Sequence, residues 1–216
     1  MTKRTTITIL IFASLNCHAQ TDSAKTKVKS SCNLKISYNS SLIYPGIRAG
    51  IEYPIAFVKK TKNKKSGYQK ILFKDRFISG NISWYHHPEY HDNVYFTIEG
   101  ILRRTLVNGF FSEFSPGLGY SRTFLGATTY TVDDSGNVSK KRLAGYNYAL
   151  TILSGGLGYD FSKTKSLPFC IFSKFSILTM YPYNSTFYFR PTIEIGIIYK
   201  PKKLLRVKPK VKTIVN

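Results

Sequence analysis

Alternation of side-chain character along strand-length segments limits this chain's fold more than any other feature. In the last such segment Phe187, Phe189, Pro191, Ile193, Ile195, Ile197 and Tyr199 share one parity, while Arg190, Thr192, Glu194 and Gly196 sit between them. Successive side chains of a strand point to opposite faces, so this pattern makes one apolar face and one polar face. Turn chemistry separates eight segments of this kind: Asn33–Ser41, Gly46–Phe57, Phe77–His87, Val94–Arg104, Phe110–Phe124, Tyr146–Phe161, Phe169–Tyr181 and Thr186–Tyr199. Asn108-Gly109 is the sharpest hairpin signal, because both residues tolerate a positive φ. The longest connection, 126–145, carries the turn cluster Asp133-Asp134-Ser135-Gly136-Asn137.

The start of the chain reads as an export signal. Lys3 and Arg4 precede the short apolar stretch Ile7–Leu15, and Cys17-His18-Ala19 forms a small-residue cleavage site before Gln20. The alternative there is lipidation at Cys17. Residues 20–32 are rich in Ser, Thr and Lys without an apolar period and are expected to be disordered. The expected organisation is a signal peptide at 1–19, a lead-in at 20–32, one domain at 33–200 and a basic tail at 201–216. Nothing after the signal is long and apolar enough to cross a bilayer as a helix.

An exported chain of alternating strands leads to an all-β expectation: a single closed, antiparallel, up-and-down transmembrane β-barrel of about eight strands in a bacterial outer membrane. Membrane lipid and lipopolysaccharide would be its surroundings. Aromatic residues at strand ends, among them Trp84, Tyr85, Tyr90, Tyr120, Tyr181 and Tyr183, fit interface belts. The rival is a soluble barrel with the two faces reversed. Crowded Phe, Ile and Tyr on one face, against Gly, Ser and mixed charges on the other, favour the membrane form, because a narrow interior has little room for the large rings.

The 216 residues carry a formal net charge of +21. One basic cluster runs through Lys59, Lys60, Lys62, Lys64, Lys65, Lys70, Lys74 and Arg76; a second occupies the tail with Lys200, Lys202, Lys203, Arg206, Lys208, Lys210 and Lys212. An exported chain does not meet nucleic acid, so these read as solvated connections and a flexible tail. Contact with lipid phosphates, or with an envelope protein partner through the basic segments, is the other reading.

Candidate chemistry falls in three places. The polar faces carry Arg48, Glu52, Glu99, Arg103, Glu113, Lys174, Arg190 and Glu194, expected to pair inside as a plug that fixes strand register and closes the lumen. Trp84-Tyr85-His86-His87-Pro88-Glu89-Tyr90-His91-Asp92 gathers His86, His87 and His91, weak candidates for a transition metal because neighbours on a strand face opposite ways. The same histidines with Ser83 and Glu89 raise lipid-modifying or lipid-binding chemistry at an outer rim, yet no His-x-Ser spacing supports a nucleophile. No phosphate loop, paired-cysteine motif or nucleophile elbow occurs, so neither a cofactor nor an enzyme is expected. Cys32 and Cys170 are placed near one rim, where either a disulfide or two buried thiols would fit.

Several stretches resemble the small uncharacterised outer-membrane β-barrel proteins of Bacteroidota. They are Ile43-Tyr44-Pro45-Gly46-Ile47-Arg48-Ala49-Gly50-Ile51-Glu52-Tyr53-Pro54, Trp84-Tyr85-His86-His87 with His91, Gly109-Phe110-Phe111-Ser112-Glu113, Gly117–Phe124 and Gly156–Phe161. The resemblance covers roughly Leu34 to Lys200 and implies the barrel architecture without implying any activity or ligand. The tail departs from it by running on past Tyr199. The resulting expectation is a non-enzymatic envelope protein with a structural or binding role. The alternatives are a lipid-modifying or lipid-binding protein with a histidine-rich rim, and an accessory subunit of a secretion or uptake complex.

Overall fold

The computed structural model describes residues 30–41, 44–63, 69–88, 90–183, 186–202 and 204–215. The expected signal at 1–19, the Cys17 alternative and most of the lead-in fall outside the described residues. The chain is all-β and mostly antiparallel. Its eight principal strands are β1 (Asn33–Ser40), β2 (Gly46–Asn63), β3 (Gln69–His87), β4 (His91–Leu106), β5 (Phe110–Leu125), β6 (Asn147–Asp160), β7 (Phe169–Tyr183) and β8 (Thr186–Tyr199). Each pairs with its chain neighbour, and β8 pairs back onto β1, so the ladders run round a ring of eight strands. No described helix is long and apolar enough to cross a membrane, a statement that does not bear on strands.

Parity decides the two faces. On β8, Phe187, Phe189, Ile193 and Ile195 are 59%, 65%, 44% and 60% exposed, while Arg190, Thr192 and Glu194 between them are buried. The same division holds on β3, where Ile78, Ile82 and Trp84 face out and Ser79, Asn81 and Ser83 face in, and on β4, where Phe96, Ile98 and Leu102 face out and Thr97, Glu99 and Arg103 face in. The apolar face is therefore the outside of the ring and the polar face its inside. That is the reverse of a water-soluble barrel.

The interior is layered along the ring axis. Phe111, Cys170, Phe172 and Ile198 form an apolar layer towards the end that carries the Asn108-Gly109 turn. Tyr85, Tyr95, Tyr148, Leu150, Ile152, Leu178 and Met180 form another towards the end that carries the histidines. Acidic and basic side chains fill the zone between. At the first end Gly109 takes a φ of 89°, and its amide donates to the Leu106 carbonyl at 3.1 Å, which closes the expected tight turn.

Three connections differ from the sequence expectation. The described residues of the basic segment 59–76, namely 59–63 and 69–76, are strand, because β2 and β3 run on together beyond the apolar belt, past a register shift between Pro54 and Ala56. The tail is not simply flexible: Lys210–Val215 lies parallel to Ala56–Thr61 of β2, and Arg206–Val207 pairs with Ser30–Ser31 of the lead-in. The long connection folds into a hairpin, Thr129–Val132 against Val138–Lys141. Alternating apolar residues are one way to specify a strand; the tail carries a short run of them, with Val207 and Val211 between basic residues, whereas Lys59, Lys60 and Lys74 give none. A growing ladder with free backbone groups supplies the rest. Cys32 and Cys170 are both buried free thiols.

Candidate functional site

Inward parity delivers the charged residues to the middle of the ring, and strand register then sorts them into pairs. Arg103 on β4 faces Glu113 on β5 directly. Its Nε donates to Glu113 Oε2 at 2.8 Å, and its Nη2 lies 2.8 Å from Glu52 Oε1. Lys174 on β7 reaches Glu113 from the other side. It can do so because Gly156 stands between them in register, and a Cβ there would come within 2.6 Å of Lys174 Cγ. In the second group Arg48 pairs with Glu99 and, at 3.4 Å, with Glu194, while Lys35 Nζ lies 3.6 Å from Glu194. Thr97, Asn81 and Ser37 add hydrogen bonds to these carboxylates at 2.9, 3.1 and 2.7 Å. Arg48, Glu52, Glu99, Arg103, Glu113, Lys174 and Glu194 are all buried, and the four carboxylates match Lys35, Arg48, Arg103 and Lys174 in number.

Two residues depart from the expected set. Lys35 belongs to the network although the sequence reading passed over it. The signal was present: Asn33, Lys35, Ser37 and Asn39 alternate with Leu34, Ile36 and Tyr38. Arg190, read as a network member, stands apart. It lies opposite Leu178 in the histidine-end apolar layer, with Thr192 and Ser176 between it and the Glu194–Lys174 rung. Four residues of extended chain, roughly 13 Å, part it from Glu194 along β8. Arg190 instead packs its guanidinium 3.4 Å from the Tyr85 ring centroid and 5.7 Å from that of Tyr44.

Cavities of about 300 Å³ occupy both ends of the ring. One lies at the Asn-Gly end and is walled by Phe57, Phe73, Asp75, Arg103, Lys163 and Lys200. Asp75 lies outside the apolar belt of β3, which begins at Ile78. Burial pushes its carboxyl up to about 6 against the opposing pull of Arg103, Lys163 and Lys200. The other cavity lies at the histidine end, between Tyr85, His87, His91, Tyr183, Tyr188 and Arg190.

Strand parity splits the histidines. His86 faces outward, with Nδ1 2.8 Å from Asp92 Oδ1. His87 and His91 turn toward the cavity, their ring centroids 5.3 Å apart, and Tyr85 Oη lies 3.4 Å from His91 Nε2. The three do not converge, and among the described residues no group of three or more His, Cys, Asp and Glu side chains is placed to hold a metal. Ser83 is buried, and its hydroxyl meets no hydrogen-bond partner, so no described histidine activates it. Glu89 lies outside the described residues. Burial, with His87 beside it, holds the His91 imidazole below its ordinary value.

No protein-family model matches the chain, and no curated protein matches it significantly.

Proposed function

We propose that this chain is an integral outer-membrane β-barrel of a bacterial envelope, closed to ions by its own side chains, with a structural or binding role. The observation that carries the reading is the inversion of the faces: phenylalanine, isoleucine and tyrosine side chains cover the outside of the ring, and charged groups fill the inside. A water-exposed apolar surface of this extent would drive association, whereas lipid hydrocarbon accepts it. A spanning strand needs about 9–11 residues, and the outward apolar positions of β8 run from Phe187 to Tyr199. The histidine end, with the long connection, is the outer end in this reading, and the Asn-Gly end is periplasmic. Kinship with the small outer-membrane barrels of Bacteroidota belongs to the same proposal.

Heat-modifiable mobility of the membrane-fractionated protein tests it. The unboiled protein is expected in the outer-membrane fraction and to migrate differently from the boiled one. A freely soluble, detergent-independent protein overturns the reading. A second role, as accessory subunit of a larger envelope assembly, is favoured by one feature: β2 and β3 project past the belt with Lys59, Lys60 and Lys74, flanked by the tail strand. Co-purification of a stoichiometric partner from mild detergent would support it.

A further inference from the structure

Arg190 is 3% exposed, and its Nε and Nη1 meet no hydrogen-bond partner. No described carboxylate pairs with it. The four interior acids are engaged by Lys35, Arg48, Arg103 and Lys174, and Asp92, the described acid nearest in sequence to the rim histidines, is turned to the outer face with His86. A guanidinium carries its charge at every accessible pH, so a buried one without an anion is costly. The contact with the Tyr85 ring offsets part of that cost and leaves Nε and Nη1 without a hydrogen-bond partner. Arg190 also lines the histidine-end cavity, whose other walls are mostly aromatic, with Thr123 and Met180 among them. Tyr44 and His87 stack with centroids 4.3 Å apart, and Tyr183 and Tyr188 stack at 4.8 Å, so flat faces flank the charge.

We infer that this cavity binds a small ring-bearing anion, a sugar acid or sugar phosphate, with its carboxylate or phosphate on Arg190 and its ring against the tyrosine faces. The guanidinium edge matches either group with paired N–H donors. A volume of about 300 Å³ admits one sugar-sized ring and little more; it stands at the lower limit of ordinary ligand sites. Burial and the neighbouring His87 lower the His91 imidazole, and Arg190 is the permanent charge in the cavity wall. Only the source of such a ligand outside the cell rests on the membrane reading. The binding itself rests on the ring and its cavity.

The test is isothermal titration of the purified full chain with glucuronate and with glucose 1-phosphate, using glucose and inorganic phosphate as controls. At least one ring anion is expected to bind, glucose not to bind, and inorganic phosphate to bind more weakly than the sugar phosphate. Arg190→Met is expected to weaken binding roughly tenfold or more, and Tyr188→Ala, at the mouth of the cavity, to weaken it less with the fold intact. Binding of glucuronate alone assigns a sugar acid, binding of glucose 1-phosphate alone a sugar phosphate, and binding of both the shared anion chemistry. Silence from both ring anions at about 10 mM, or equal binding by Arg190→Met with heat-modifiable mobility preserved, overturns the inference. Should Arg190→Met fail to fold, unchanged affinity in Tyr188→Ala overturns it instead. Mobility and fractionation report separately on the membrane reading, so the two can fail independently.

Discussion

At the residue scale the interior depends on each charge keeping its partner. Arg103 contacts Glu52 and Glu113 in a buried setting, and its removal would leave Glu52 without its cation while Glu113 keeps Lys174. Arg103→Met is expected to destabilise the folded protein by about 3–5 kcal/mol, read as a lowered denaturant midpoint in detergent. Adding Glu52→Gln to that variant should recover part of the loss, because the stranded charge goes with it. Asp75 tests the opposite situation. Its folded value of about 6 lies above the unfolded 3.8, so the protein binds its proton more tightly when folded. The stability this contributes is complete below about pH 4 and is lost as pH rises through 6. Asp75→Asn should therefore match the wild type near pH 3.5 and exceed it at pH 7.5, as measured by thermal unfolding at the two pH values.

At the element scale the strands show what alternation can and cannot specify. The eighth strand, Thr186–Tyr199, was legible to the residue, because its outward positions are apolar and Arg190, Thr192, Glu194 and Gly196 between them are polar or Gly, with Ile198 the apolar inward exception. The ends of β2 and β3 were not. Lys59, Lys60 and Lys74 give no parity signal, and these stretches are strands because each completes the other's backbone ladder. In the tail Val207 and Val211 do alternate with Arg206, Lys208, Lys210 and Lys212, a short strand signal that its charge obscured. Parity also assigns a face without assigning a depth. It put Arg190 inside and could not reveal that no described carboxylate pairs with it there. The same rule applied to His86 and His87 correctly foretold that they would diverge. Deleting 206–216 is expected to leave the ring and its heat-modifiable mobility intact. It should speed hydrogen exchange at the Ala56–Thr61 amides, where Lys210–Val215 lies alongside. Protection unchanged by the deletion would show that the parallel pairing is not formed in solution.

At the scale of the whole molecule the interior is blocked by side chains. Two apolar layers flank a zone of four carboxylates and four cations, and the ring is of the size that side chains fill. Planar-bilayer recording is expected to show no stable large conductance, and sustained channel openings would refute the closed interior. The net charge of +21 lies mostly off this ring, in the extension and the tail, so it bears on contacts made there rather than on the plug. The paired charges in the centre have one more consequence, for assembly. A strand displaced by one residue turns its apolar side chains inward and is rejected at once. A strand displaced by two keeps every greasy side chain facing out, and hydrophobicity has no means of noticing the mistake. The ions do notice, since Arg103 would then meet Phe111 or Ser115 in place of Glu113. The plug thus proofreads the one misalignment to which the surrounding solvent is blind.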